Sequence, residues 1–335
     1  MRTQWLFILM LVALTAASNC LAQVGMGRQG TNVTLTWPSS TGEFFFVEQR
    51  ASLTNGTWLP LAPHLAATVP GTNTTFTHFG ALQSPGAFYR VLQVPAPFTF
   101  SWSGTNFTYS DSNRAFTGIL LKPPGSGPFP AVIIHHGAGG TAAGYSLPKA
   151  REMMPWGMVC IGPTLTHAAG GETDPVNMGN CPENNARTVA CANILASFAD
   201  VDTNRIAVFG HSMGAFNTIG SAGVLAGRVR AGAITAGGVI PVGTSNATPT
   251  YAEASPVRAP FVMFHCDADP VVPASRSLAF QQILTSNAVA SLRVVYSSNA
   301  IPNSAHWHNL HQDPAINTDV LTNTFQWFRT HGVLP

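Results

Sequence analysis

The residues Gly210-His211-Ser212-Met213-Gly214 form the sharpest chemical pattern in the chain. A serine set between two glycines, G-x-S-x-G, follows the apolar run 206–209 and opens a stretch rich in small residues at 212–225. That context predicts a tight strand-to-helix turn with the serine hydroxyl projecting from the sheet edge. Glycine on either side removes side chains that would collide as the chain doubles back. The helix start then aims N–H groups and a favourable dipole at developing negative charge. Ser212 is therefore read as a nucleophile.

A serine hydroxyl attacks poorly without a base, and the base should be an imidazole oriented by a carboxylate. The run 261–264 ends in His265-Cys266-Asp267-Ala268-Asp269-Pro270, so Asp267 and Asp269 both lie just past a late strand. Asp269 is the preferred acid, because Pro270-Val271-Val272-Pro273 makes a stiff turn that would fix it. Beyond the next strand, 292–296, come His306, His308 and His311. His306 is the expected base and His308 the alternative; one of the unused histidines is read as polar loop surface. Carbonyl chemistry also needs two N–H donors where the oxyanion forms. Met213 N–H and Ala138 N–H, the latter from His135-His136-Gly137-Ala138-Gly139-Gly140, are the candidates. Trp307 and Trp156 are candidate contacts for an acyl or aromatic group, with core packing the other reading of Trp156.

The Gly-rich loop at 137–140 lacks both G-x-G-x-x-G and the Lys-Ser/Thr of a phosphate loop. His306 and His308 have no third ligand at metal-binding spacing. No metal or organic cofactor is expected.

Strands must alternate with helices to carry these groups to one edge. Apolar runs at 115–121, 131–135, 158–161, 206–209, 231–236, 261–264 and 292–296 read as strands. Helical stretches follow at 146–154, 186–198, 212–225, 275–284 and 315–328. This order predicts an α/β unit over 98–335, a mostly parallel sheet with helices on both faces. The region before it has another grammar. Alternating Val33, Leu35 and Trp37, then 44–47, 72–79 and 88–94, predict a small all-β sandwich over 27–95, joined through Pro95–Pro97.

Arg2 and the apolar stretch from Trp5 to about Ala17 read as a signal peptide over 1–22, which places the mature chain outside the cell or in a periplasm. No stable membrane span is expected after its removal. A net charge of +2 with no Lys/Arg cluster argues against nucleic acid as a partner. Of Cys160, Cys181, Cys191 and Cys266, the pair Cys181–Cys191 is the favoured disulfide, with pairing otherwise undetermined.

On these motifs, 98–335 resembles the α/β-hydrolase superfamily, within it the dienelactone hydrolase-like group and secreted lipases, cutinases and polyester hydrolases. The resemblance implies Ser212 as nucleophile, Asp269 as acid, His306 as base, and Ala138 and Met213 as oxyanion donors. It implies a secreted hydrolase of carboxylic esters, with polyesters and acetylated glycans among the substrates. Serine at 212 departs from dienelactone hydrolases proper, which use cysteine. The same triad would serve an amidase or peptidase, and a non-catalytic glycan-binding or adhesion protein is the alternative of a different class. The region 27–95 resembles immunoglobulin or fibronectin type III-like modules, which suggests a glycan-binding or spacing role.

Overall fold

The computed structural model describes residues 24–335 apart from 53–56, 69, 82–86, 95–97 and 243–247. The expected signal peptide, and the expected junction at Pro95–Pro97, lie outside the described residues. The chain divides into two units, one up to residue 99 together with 196–200, the other 100–195 with 201–335.

The first unit is built from β1 (Gly25–Gln29), β2 (Asn32–Pro38), β3 (Phe44–Arg50), β4 (Leu59–Ala66), β5 (Asn73–His78) and β6 (Phe88–Val94). They form two three-stranded antiparallel sheets, β1-β2-β5 and β4-β3-β6. The alternation read in the sequence is the reason they pair. Val33, Leu35 and Trp37 are buried while their neighbours are not, and they share a core with Phe45, Val47, Tyr89 and Val91 of the other sheet. The Trp37 and Phe45 rings meet edge to face, 5.4 Å apart.

After the division at residue 99, which falls within β7 (Phe98–Ser103), come β8 (Asn106–Asp111), β9 (Ala115–Leu121) and β10 (Phe129–His135) of the second unit. It continues with α1 (Leu147–Met153), β11 (Val159–Pro163), α2 (Pro182–Ala196), β12 (Val201–His211) and α3 (Met213–Val224). Then come β13 (Val229–Thr235), α4 (Tyr251–Ala254), β14 (Phe261–Cys266), α5 (Ser275–Ser286), β15 (Ser291–Tyr296) and α6 (Pro314–Thr330). The sheet has nine strands in the order β15-β14-β13-β12-β10-β11-β9-β8-β7. From β11 to β15 every pairing is parallel, whereas β9 pairs antiparallel with both β11 and β8.

Both faces of the parallel region are buried, as helix crossovers require. Val132, Ile134, Ala207, Phe209, Val262 and Phe264 share one core with Ala150 and Met153 of α1 and Val320 and Phe328 of α6. The intervening Ile133, Val208 and Met263 are equally buried and point the other way, the side on which Phe261 meets Phe280 of α5 at 5.2 Å.

The antiparallel strands β7 and β8 were not among the expected elements. Residues 100–109 alternate aromatic and polar types, a period-2 signal that the α/β pattern beyond it overshadows. The favoured Cys181–Cys191 disulfide is also overturned, since all four described cysteines are free, buried thiols. Helix α2 starts at Pro182, so Cys191 lies more than two turns along it from Cys181. At about 1.5 Å of rise per residue that separation is roughly twice the span a disulfide tolerates.

Candidate active site

Strand β12 ends at His211, helix α3 starts at Met213, and Ser212 alone makes the turn between them. Its backbone takes φ 54°, a left-handed conformation unusual for a residue with a side chain. The turn is held by Ser212 N–H donating to Thr235 O at 3.0 Å and by Ala215 N–H donating to Ser212 O at 2.9 Å. The two flanking glycines are steric necessities. A Cβ on Gly210 would sit 2.2 Å from Thr218 Oγ1, and one on Gly214 2.4 Å from His135 O and 2.5 Å from His136 O. The nucleophile candidate can therefore lie close beside the end of β10 only because these two positions have no side chain.

His308 faces Ser212. Its Nε2 lies 3.0 Å from Ser212 Oγ, and its Nδ1 lies 2.9 and 3.0 Å from the two oxygens of Asp269. The carboxylate fixes the tautomer, since Nδ1 must donate to Asp269, which leaves Nε2 to accept from the hydroxyl. Asp269 follows β14, and its Oδ1 also accepts from Val271 N–H at 2.8 Å and Val272 N–H at 2.9 Å. Burial by itself would raise the Asp269 pKa. Hydrogen bonds from His265 and His308, with the charge of His308, outweigh it and hold the carboxyl well below the usual range. Ser212 and Asp269 are each only 8% exposed.

The expected base, His306, is thus not the histidine brought to Ser212. It ends a 3-10 turn, Ser304–His306, and its Nε2 meets Asn303 Nδ2 at 3.1 Å. The reason is how the loop is anchored. Trp307 donates its indole N–H to Ile301 O at 3.1 Å and packs on the core, and Leu310 is fully buried. Between these two anchors His308 points across to the elbow. Two apolar residues bracketing His308 were the signal in the sequence; spacing from β15 alone does not separate the two histidines.

The loop after β10 lies against the serine. A Cβ on Gly137 would be 3.2 Å from Ser212 Cβ, so Ala138 follows directly beside the nucleophile candidate. Two buried imidazoles clamp this loop. His136 Nε2 accepts from Leu165 N–H at 2.9 Å, and His167 Nε2–H donates to His136 O at 3.0 Å. Gly139 N–H donates to His167 O at 2.9 Å. Ala138 is exposed and Met213, which directly follows Ser212, is half-buried.

Strands β10, β12, β14 and β15 are parallel, so the segments after them emerge at one edge of the sheet. The chain leaves β10 toward β11 on one side, while β12 and its successors lie on the other. The site sits at that reversal of strand order, the usual place for a crevice in an open α/β sheet.

Known structures share the fold of the larger unit. Thermogutta terrifontis esterase 2, phosphonylated by cyclosarin, is 14% identical over 67% of this chain and 92% of its own, with a TM-score of 0.54. A Klebsiella pneumoniae protein assigned as a dienelactone hydrolase is 16% identical over 69% of this chain and 98% of its own, also at 0.54. The larger unit has the α/β-hydrolase fold. The likeness to Pyrococcus horikoshii acylaminoacyl peptidase reaches further, over 92% of this chain and 56% of that one, at 13% identity and a TM-score of 0.55. The Phospholipase/Carboxylesterase family model matches residues 188–306 of the α/β-hydrolase unit, a span that holds Ser212 and Asp269 and stops two residues before His308. No curated protein matches the sequence.

The other singled-out residues of the larger unit have structural surroundings. Trp156 packs edge to face on Phe325 of α6 at 5.5 Å, and both it and Trp307, which directly precedes His308, pack partly buried against the core. Asp267 is exposed and accepts from Ser298 N–H at 2.7 Å. His311 packs between Tyr145 at 5.0 Å and His211 at 4.9 Å, and burial lowers its pKa to about 4. Among the described residues there is no cluster of His, Cys, Asp and Glu that could hold a metal ion, and no helix long and apolar enough to cross a membrane.

Proposed function

We propose that this protein hydrolyses carboxylic esters, with Ser212 as nucleophile, His308 as general base and Asp269 as the orienting acid. One observation carries the reading: a continuous hydrogen-bonded chain, Ser212 Oγ to His308 Nε2 and His308 Nδ1 to Asp269, at the strand-order reversal. As Ser212 Oγ attacks the ester carbonyl, its proton passes to His308 Nε2. Asp269, ionised far below neutral pH, stabilises the imidazolium. Ala138 and Met213 N–H groups receive the oxyanion. The acyl–oxygen bond then breaks, the alcohol leaves with the proton from His308, and Ser212 carries the acyl group. Water repeats the sequence with His308 as base and releases the acid.

The elbow strain fits this role. A serine at φ 54° costs on the order of 1–3 kcal/mol and persists where the surroundings over-determine it. The butyrate bound by Thermogutta esterase 2 makes short acyl esters the first substrates to try. We further infer that residues 1–22 direct export, and that the β-sandwich unit is an immunoglobulin- or fibronectin-like accessory module with a glycan among its candidate ligands.

The test is covalent labelling with a fluorophosphonate, together with turnover of 4-nitrophenyl acetate and butyrate, acetylated sugars, amides and a solid polyester. Wild type should label once and turn over esters, and folded Ser212→Ala should do neither. A folded wild-type chain that neither labels nor turns over any ester defeats the proposal; amide turnover alone would reassign the bond cleaved.

A further inference from the structure

Asp269 is held on two sides. His308 approaches from the serine, and a second imidazole, His265, approaches from within the fold. His265 lies on β14 four residues before Asp269 and is fully buried. Its Nε2 is 3.3 Å from Asp269 Oδ2 and 2.7 Å from Val272 O. Both are acceptors, so Nε2 carries the proton and donates to them.

The opposite nitrogen is fixed too. His265 Nδ1 lies 3.0 Å from Ser277 Oγ on α5. Arg293 on β15 donates Nε–H to the same hydroxyl at 2.8 Å and Nη2–H to Ala274 O at 2.9 Å. Ser277 Oγ also donates toward Ala274 O at 2.9 Å, so its one proton is shared between that carbonyl and the Nδ1 lone pair, and accepting from the guanidinium makes it a better donor to both. The groups facing His265 are thus one carboxylate, one hydroxyl and, through that hydroxyl, one cation. Val272 O and Asp269 together keep a proton on Nε2.

We propose that His265 is a positioning residue for the reaction, the inner clamp that sets the direction and basicity of Asp269 and through it of His308. The inference rests on the ester-hydrolase reading above. Asp269 Oδ1 is already saturated by two backbone N–H groups and His308. Oδ2 has only the two imidazoles, one on each side. Removing the inner donor leaves a buried lone pair unmet and concentrates the carboxylate charge on His308. That imidazole would then hold its proton more tightly and return it less readily to the leaving alcohol.

The test compares full-length His265→Gln and His265→Asn. A Gln amide reaches the place of Nε2, while an Asn amide reaches only that of Nδ1; both are polar and similar in burial. With 4-nitrophenyl butyrate, His265→Asn should lower kcat by about tenfold or more, with KM changed by less than about threefold. The acid limb of kcat/KM against pH should move to higher pH, and His265→Gln should recover most of both changes. Ser277→Ala should shift the limb in the same direction by less, and it reads out the clamp should neither His265 variant fold. Folded Asn and Gln variants with equal losses and an unmoved limb, or wild-type kinetics in His265→Asn, or an unmoved limb in Ser277→Ala, would overturn the clamp. Those outcomes leave wild-type turnover intact, whereas failure of the hydrolase reading appears as an inert, unlabelled wild type.

Discussion

His211 Nε2 and Asn309 Oδ1 meet at 3.2 Å, joining the residue before the nucleophile candidate to the residue after its base. Thr235 Oγ1, 3.0 Å from His211 Nδ1, donates on the far side and fixes the His211 proton on Nε2. The bond spans two loops far apart in sequence and holds His308 in register with Ser212. Asn309→Ala should therefore lower kcat by roughly tenfold, as loss of an orienting contact does. Single-turnover and steady-state measurements would place the loss in the chemical step rather than in KM.

The two candidate bases separate cleanly in a mutant pair. His308→Ala should lower kcat by about a thousandfold or more, since general-base and orienting effects are both removed. His306→Ala removes a ring that contacts Asn303, not Ser212, and should leave kcat within about twofold. Parallel kinetics at saturating ester check both values.

Gly214→Ala should compromise folding rather than chemistry alone. The added methyl would meet the carbonyl oxygens of His135 and His136 at 2.4 and 2.5 Å, and both belong to the central strand or the loop leaving it. Backbone at that distance cannot rotate away as a side chain can. A destabilisation of about 3 kcal/mol or more is expected, beyond ordinary overpacking. Urea denaturation, or failure to recover soluble chain, measures it.

Acid should unfold the protein earlier than its carboxylates alone would. Burial lowers His135 to about 3 and His136 to about 4. Unfolded, these rings take up a proton near pH 6.5, so below that pH the unfolded chain binds more protons than the folded one. Stability is then full above about 6.5 and falls as pH drops toward 4, by up to about 1.4 kcal/mol per pH unit for each such ring. Asp269, whose folded pKa is depressed, adds loss only once pH falls below the ordinary carboxylate range near 4. Thermal midpoints from pH 7 to 4, compared with His136→Gln, should show a shallower slope in the variant.

Cys160, Cys181, Cys191 and Cys266 should react as thiols without prior reduction once the chain is denatured, and reductant should leave the thermal midpoint unchanged. Intact mass after alkylation, with and without dithiothreitol, checks this.

The serine turn was legible because three features agree: an apolar strand, paired glycines that nothing larger could replace, and a small-residue helix that nearly all its side chains bury. The parallel strands were legible for a related reason, since runs such as 131–135 are apolar on both faces only when helices cover both. His308 was separable from His306 only through Trp307 and Leu310, whose meaning depends on where they lodge in a core assembled from α1, α6 and the sheet. His265 carried no local signal of its own. Its role depends on Ser277 and Arg293, which reach it from other elements.

Ser212 and His308 are separated by 96 positions in the chain, and Asp269 falls between them. A chain ending before residue 308 would hold both Ser212 and Asp269 but lack the imidazole that links them. On the proposed reaction, Ser212 gains its proton acceptor only once the loop that carries His308 has seated.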